Sequence, residues 1–355
     1  MDRREFLLRM AQLSGVAVAG GLIGCDRSRR PDEPGYEGDD SVAKSKPEPT
    51  DEDRQDDHTA IAVVFATSRA DGVHRATELL DLDFRDQHIF IKPNFNSADP
   101  APGSTHNDVL EALVRHCRSH RTRSITVGDR SGMADTREVM RQKQIFAMGD
   151  ELGFETVVFD ELEEEDWRLI EDPEHHWQRG FAMPRIVLDA DAYVQTCCLK
   201  THRFGGHFTM ALKNNVGLAA KNVPSDDYNY MSELHDSEHQ RRMIAELNSA
   251  VSHDLIVLDA VEGFYEEGPE AGPTADFNVV IAGTDPVAID ALGVALLRRH
   301  GTTPEVSEGS IAEQSQIARA IELGIGTANP DEMNFLTPDD ASREIVADLI
   351  ALLDQ

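Results

Sequence analysis

Along residues 60–353, short continuous apolar runs alternate with longer amphipathic stretches, and that alternation narrows the available folds. Ala60 to Thr67 reads Ala-Ile-Ala-Val-Val-Phe-Ala-Thr, the kind of run a strand buried on both faces needs. His88 to Lys92, Ser124 to Gly128 and Glu155 to Phe159 repeat the pattern. Further strands are expected at Arg185 to Asp189, Ala192 to Cys198, Leu255 to Asp259 and Phe277 to Ala282. Helical patterns lie between and after them. They run from Gly72 to Leu80, Thr105 to His120, Thr136 to Leu152, Glu238 to Val251, Asp285 to Arg299, Ile311 to Leu323 and Ser342 to Leu353. In the second of these, Leu110, Leu113, Val114 and Cys117 form one apolar stripe. The acidic segment Glu161 to Arg179 reads as an irregular surface excursion. The prediction is an α/β fold: a mostly parallel sheet with helices on both faces and Rossmann-like layering. Ligands of such sheets bind beyond the C-terminal strand ends.

The first residues read as an export signal rather than as fold. Asp2-Arg3-Arg4-Glu5-Phe6-Leu7 resembles the twin-arginine pattern, with Asp2 where Ser or Thr is usual. Leu13 to Ile23 is apolar but shorter than the ~20 residues a membrane-spanning helix requires. Leu22-Ile23-Gly24-Cys25 resembles a lipobox, so Cys25 is the expected lipidation site. An uncleaved anchor with an incidental cysteine is the competing reading. The expected partners are the twin-arginine export machinery and, through the N-terminal lipid, the outer face of the cytoplasmic membrane. Residues 26–58, rich in Pro, Glu and Asp, lack apolar periodicity and read as a tether. Residues 59–355 remain for the α/β domain.

Composition excludes several functions. The net charge of −31, from 34 basic and 65 acidic residues, is not that of a nucleic-acid surface. Such a field repels anions, so any anion site needs a local cluster of cations. Beyond Cys25 only Cys117, Cys197 and Cys198 remain, with no Cys-x-x-Cys spacing, so a cysteine-ligated iron–sulfur cluster is not expected. There is no phosphate loop of the Gly-x-x-x-x-Gly-Lys-Ser/Thr type and no Gly-x-Gly-x-x-Gly, so neither nucleotide class is supported.

Against this background lysine is scarce. The chain has Lys44, Lys46, Lys92, Lys143, Lys200, Lys213 and Lys221, and the last three crowd one loop-like segment with His202, His207 and Gly205-Gly206. Lys92, in Ile91-Lys92-Pro93-Asn94, is placed at a strand end to hold a phosphate or carboxylate, with Asn94 as an orienting donor. Asp129, in Gly128-Asp129-Arg130-Ser131-Gly132, is either a ligand group or the cap of a strand-to-helix turn. Lys200 and Lys213 beside His202 would keep that imidazole neutral, suited to a base or a metal ligand. A divalent metal is the candidate cofactor, with His202 and His235 as ligands. Glu262, in Asp259-Ala260-Val261-Glu262-Gly263, is a candidate for acid/base work or for pairing with the lysines. Asp285-Pro286 opens a helix in which Asp290 lies one turn in, facing the site.

Taken in order, these segments resemble the family called domain of unknown function 362. The residues that carry the resemblance are Ile91-Lys92-Pro93-Asn94, Val127-Gly128-Asp129, Leu199-Lys200-Thr201-His202, Leu212-Lys213-Asn214-Asn215-Val216-Gly217, Asp259 to Gly263 with Gly268-Pro269, and Asp285-Pro286-Val287-Ala288-Ile289-Asp290. The resemblance spans most of residues 60–300 and supplies positions, not a reaction. Many members resemble redox-associated proteins and some carry a ferredoxin-like cysteine module, which this chain lacks. The expectation is an exported, membrane-anchored enzyme for a small anionic substrate. In it Lys92, Asp129, Lys200, His202, Lys213 and Glu262 are the catalytic candidates, and Asn94, Asn214 and Asp290 bind the substrate. A non-catalytic anion- or metal-binding lipoprotein, or an accessory of a periplasmic redox complex, is the alternative.

Overall fold

In β1 (Thr59–Phe65) successive side chains enter two different cores, which is what burial on both faces demands. Ile61 and Val63 join one apolar cluster, Ala62 and Val64 the other. The same alternation recurs in β2 (His88–Lys92), where Ile89 and Ile91 face the second cluster and Phe90 turns to the opposite side. The structure, a computed structural model, describes residues 58–132 and 134–354. The signal motif with Arg3 and Arg4, the lipobox with Cys25, and the tether up to residue 57 lie outside the described residues.

The remaining strands are β3 (Ser124–Asp129), β4 (Glu155–Val158), β5 (Trp167–Ile170), β6 (Phe181–Pro184), β7 (Ala192–His202), β8 (His207–Thr209), β9 (Leu255–Phe264), β10 (Thr274–Gly283) and β11 (Met333–Leu336). Nine of them form one sheet in the order β11-β1-β10-β9-β7-β2-β3-β4, with β8 paired to β7. The run β9-β7-β2-β3-β4 is parallel throughout. β10 is antiparallel to both neighbours, β9 and β1. The sheet is therefore mixed but mostly parallel, and the fold is α/β. Helices Arg69–Glu78 and Asn107–Ser119 cover one face, with Val73, Ala76, Leu110 and Leu113 buried there. Helix Pro286–His300 covers the other, buried along most of its length. Its start follows from sequence: the Asp285 side chain accepts from the amides of Val287 and Ala288 at 2.8 and 2.9 Å, ahead of Pro286 in the first turn.

Four expectations need correction. The apolar run after Arg185 is a helix, Arg185–Leu188, following the edge strand β6; a run this short carries no usable period. The segment Glu161 to Arg179 contains β5, which pairs with β6 in a separate hairpin. The helix expected from Thr136 to Leu152 is two, Thr136–Gln142 and Ile145–Leu152, parted where Gln144 adopts φ 60°. And β7 does not stop at Cys198: it runs to His202, so Lys200 and His202 belong to a strand rather than a loop.

Candidate active site

The overrun of β7 builds the site. In the parallel register Lys92, the last residue of β2, sits opposite Gln195, while β7 continues to Lys200 and His202. That extension folds back on β8, pairing Lys200 with Thr209 and His202 with His207. The C-terminal end of β2 thus lies between the overhang of β7 and the end of β3 at Asp129. Beyond β8 the four-residue helix Ala211–Asn214 brings Lys213 and Asn214 back over the strand ends. A cleft of about 430 Å³, counting its open mouth, is walled by Lys92, Asp129, Arg130, Lys200, His202 and Lys213, with Asn94, Asn96, Thr209 and Asn214 between them.

One half of the cleft is closed by its own contacts. Lys92 Nζ, almost fully buried, meets Asp129 Oδ1 at 2.7 Å, donates to the Pro93 carbonyl at 2.9 Å and donates to Asn214 Oδ1 at 3.2 Å. All three of its donor directions are used. Burial pushes its pKa down while the Asp129 carboxylate opposes the shift. Asp129 in turn accepts from the backbone amides of Phe95 at 2.7 Å and Arg130 at 2.8 Å. Asn214 is saturated: Oδ1 also accepts from Asn94 Nδ2 at 3.2 Å, and Nδ2 donates to Gln195 Oε1 at 2.8 Å and to the Thr196 carbonyl at 3.2 Å. Arg130 donates to the carbonyls of Ala219 and Val216 at 2.9 and 2.7 Å, fastening the turn that follows Asn214. The turn passes so close that a Cβ at Gly217 would lie 2.5 Å from Asp129 Oδ1 and 2.8 Å from Lys92 Nζ.

The other half is open. Lys200 Nζ donates to the Gly103 carbonyl at 2.7 Å and to Asn94 Oδ1 at 3.3 Å, leaving one donor direction. Lys213, partly buried, has neither a hydrogen bond nor an ion pair among the described residues, and burial beside Lys200 and Arg130 lowers it to about 7. Among the described residues, His202, 8% exposed, has no partner at Nδ1, and Thr209, 5% exposed, has none at Oγ1. Desolvation first, then Lys213, hold His202 well below its usual range and hence neutral. A Cβ at Gly206 would sit 2.9 Å from both His202 Nδ1 and Lys213 Cε, so these two side chains meet across that glycine.

The structure brings Lys92, Asn94, Asp129, Lys200, His202, Lys213 and Asn214 to one cleft. It does not bring Glu262 or Asp290 there. β9 runs past Asp259 to Phe264, which carries Glu262 away from the lysines, and its carboxylate faces Arg69 at 3.7 Å. Asp259, deeper in, holds Arg69 Nε at 2.8 Å. Asp290 is fully buried beneath the cleft wall, accepting from the amides of Ala211 at 2.6 Å and Leu212 at 3.3 Å and from Gln316 Nε2 at 3.1 Å. It supports the helix that carries Lys213 instead of facing a ligand. Burial raises its pKa to about 7. His235 does not line the cleft; its Nδ1 bonds the Met231 carbonyl at 2.6 Å. Among the described residues no three His, Cys, Asp or Glu side chains are grouped to hold a metal. Thr209, Asn96 and Arg130 also line the cleft, and none of them is among the site residues expected from the sequence. Only the hairpin register, which sets Thr209 opposite Lys200, identifies the first.

The fold is α/β, with a cleft rich in cationic side chains at the C-terminal ends of parallel strands. The family model described as "Domain of unknown function (DUF362)" matches residues 89–295, more than half of the chain, and the chain belongs to that family. The matched segment contains every cleft-lining residue. Comparison with curated proteins found no match. Among solved structures, the lactate racemase apoprotein from Thermoanaerobacterium thermosaccharolyticum is similar at 17% identity and a TM-score of 0.42, covering 66% of this chain and 57% of that one. This chain therefore aligns with little more than half the length of that structure.

Proposed function

We propose that this protein is an enzyme acting on a small anionic substrate held in the open half of the cleft. The observation that carries the reading is a charge imbalance: Lys92, Lys200, Lys213 and Arg130 line a cleft whose lining includes one carboxylate, Asp129. Buried cations without counterions are costly, and an anion would compensate them. In a chain of net charge −31 such a local excess concentrates anions where the rest of the surface repels them. Lys200 and Lys213 would bind the anion, Thr209 Oγ1 would orient it, and His202, neutral and unpartnered at Nδ1, would move a proton. Lys92 and Asp129 then set the position of the cleft floor. Export by the twin-arginine route and lipid anchoring through Cys25 belong to the same proposal, because Arg3, Arg4 and the lipobox precede the fold in the order such a signal requires.

The test is native mass spectrometry, with metal analysis, on protein purified from its own host. A small anion should co-purify, and Lys213→Met should weaken its retention tenfold or more. Ligand-free protein that also fails to bind added carboxylates or phosphate would overturn the reading. Stoichiometric metal with no co-purifying anion would overturn it as well.

A further inference from the structure

We propose that the anion carries a carbonyl group, that is, a short oxo acid, and that Lys213 condenses with it to form an imine. The inference rests on the anion-binding reading above and assigns the substrate class of that same cleft. Three observations carry it. Lys213 is the one lysine of the cleft whose nitrogen makes no hydrogen bond or ion pair among the described residues; Lys92 uses three partners and Lys200 two. An amine left unengaged beside other cations is available in its neutral, nucleophilic form. His202, with a buried unpartnered Nδ1, meets Lys213 across Gly206. A second unpartnered buried group, Thr209 Oγ1, lines the same cleft opposite Lys200.

The step balances without an added reagent. The neutral Lys213 nitrogen attacks the carbonyl carbon, a C–N bond forms, and the C=O π pair moves to oxygen. Both protons of the nitrogen pass in turn to the oxygen, with His202 Nδ1 placed to relay them. The C–O bond then breaks, water departs and C=N forms; nothing is oxidised or reduced. The remaining donor direction of Lys200 meets the substrate carboxylate, which fixes the carbonyl against Lys213.

The experiment incubates the full-length protein with glyoxylate and sodium cyanoborohydride and maps the reduced adduct by peptide mass spectrometry. Binding of glycolate, the matching acid without a carbonyl, is measured by calorimetry on the same sample. Labelling should concentrate on Lys213, accelerate as pH rises through about 7, slow under excess glycolate and slow in His202→Asn. Lys221, outside the cleft, should label no faster with or without glycolate. If glycolate binds while Lys213 labels no faster than Lys221, imine formation is wrong and the anion site stands. If glycolate does not bind and Lys213 is not labelled, both fall. The glycolate-protection measurement needs no variant, so a misfolded mutant leaves the question decidable.

Discussion

Two buried charge clusters in this molecule have opposite bookkeeping. Around Glu246, which is fully buried, every charge has a partner. Its carboxylate accepts from Arg319 Nε at 3.0 Å, from the His176 amide at 2.8 Å and bonds His176 Nδ1 at 2.6 Å, while Arg319 also donates to the Glu174 carbonyl at 2.7 Å. The cleft at the strand ends instead leaves Lys213, His202 Nδ1 and Thr209 Oγ1 without hydrogen-bond partners among the described residues. Burial of charge alone therefore does not mark a site. What separates the two regions is that one satisfies its polar groups internally and the other leaves several of them unpaired among the described residues.

That contrast is breakable by substitution. Glu246→Ala removes a fully buried carboxylate from a closed network and leaves Arg319 with Glu322 at 3.2 Å and the Glu174 carbonyl, so unfolding free energy should fall by roughly 3 kcal/mol, the low end for breaking a buried pair, in a denaturant titration. A loss below about 1 kcal/mol would mean the cluster is not closed as described. Lys213→Met should do the reverse. It removes a partly buried cation that has no counterion, so the ligand-free protein should be no less stable, while anion affinity drops by about 1.5–3 kcal/mol, the worth of a hydrogen bond to a charged group. Calorimetry against thermal unfolding separates the two effects. Gly206→Ala places a methyl between His202 and Lys213, and overpacking there should cost about 1–3 kcal/mol, with the loss in ligand affinity exceeding any loss to Glu246-cluster variants.

The smallest effect is with pH. The folded-state pKa of Lys213 is depressed to about 7 from a usual value near 10.5. Its ammonium is therefore complete below about 7 and lost as pH rises through that value, so the affinity for a simple anion should decline over the same window. The free protein behaves oppositely: over the interval between these two values the unfolded chain binds the extra proton, so this group makes folding less unfavourable as pH rises. Affinity profiles of wild type and Lys213→Met should differ only in that decline. Superimposable profiles would show that another group titrates.

Much of this was legible in the sequence, and the failures have physical causes. The strand ends at Lys92 and Asp129 were readable because continuous apolar runs stop there at Pro93 and at a glycine-flanked turn. The convergence of Lys200 and Lys213 was readable from lysine scarcity. The end of β7 was not: Cys198 to His202 turns polar, yet stays in the sheet because β8 pairs with it. Glu262 was misplaced for the same kind of reason, since β9 and β10 extend as an antiparallel hairpin beyond the parallel core. Asp290 looked like a ligand group because a carboxylate among alanines invites that reading, whereas its partners are the amides of Ala211 and Leu212, from a segment 78 residues away at the nearer of the two. Long-range pairings of this kind leave no local periodicity.

The central claim, that the open half of the cleft is an anion site built on Lys213, is tested most directly by titrating glycolate and inorganic phosphate into full-length wild type and Lys213→Met at about pH 6, where the ammonium is complete. Saturable binding of at least one anion to the wild type, weakened tenfold or more in the variant by the roughly 1.4 kcal/mol that separates decades of affinity, is the predicted result. Equal affinities in the two proteins, or no binding to either, would contradict it.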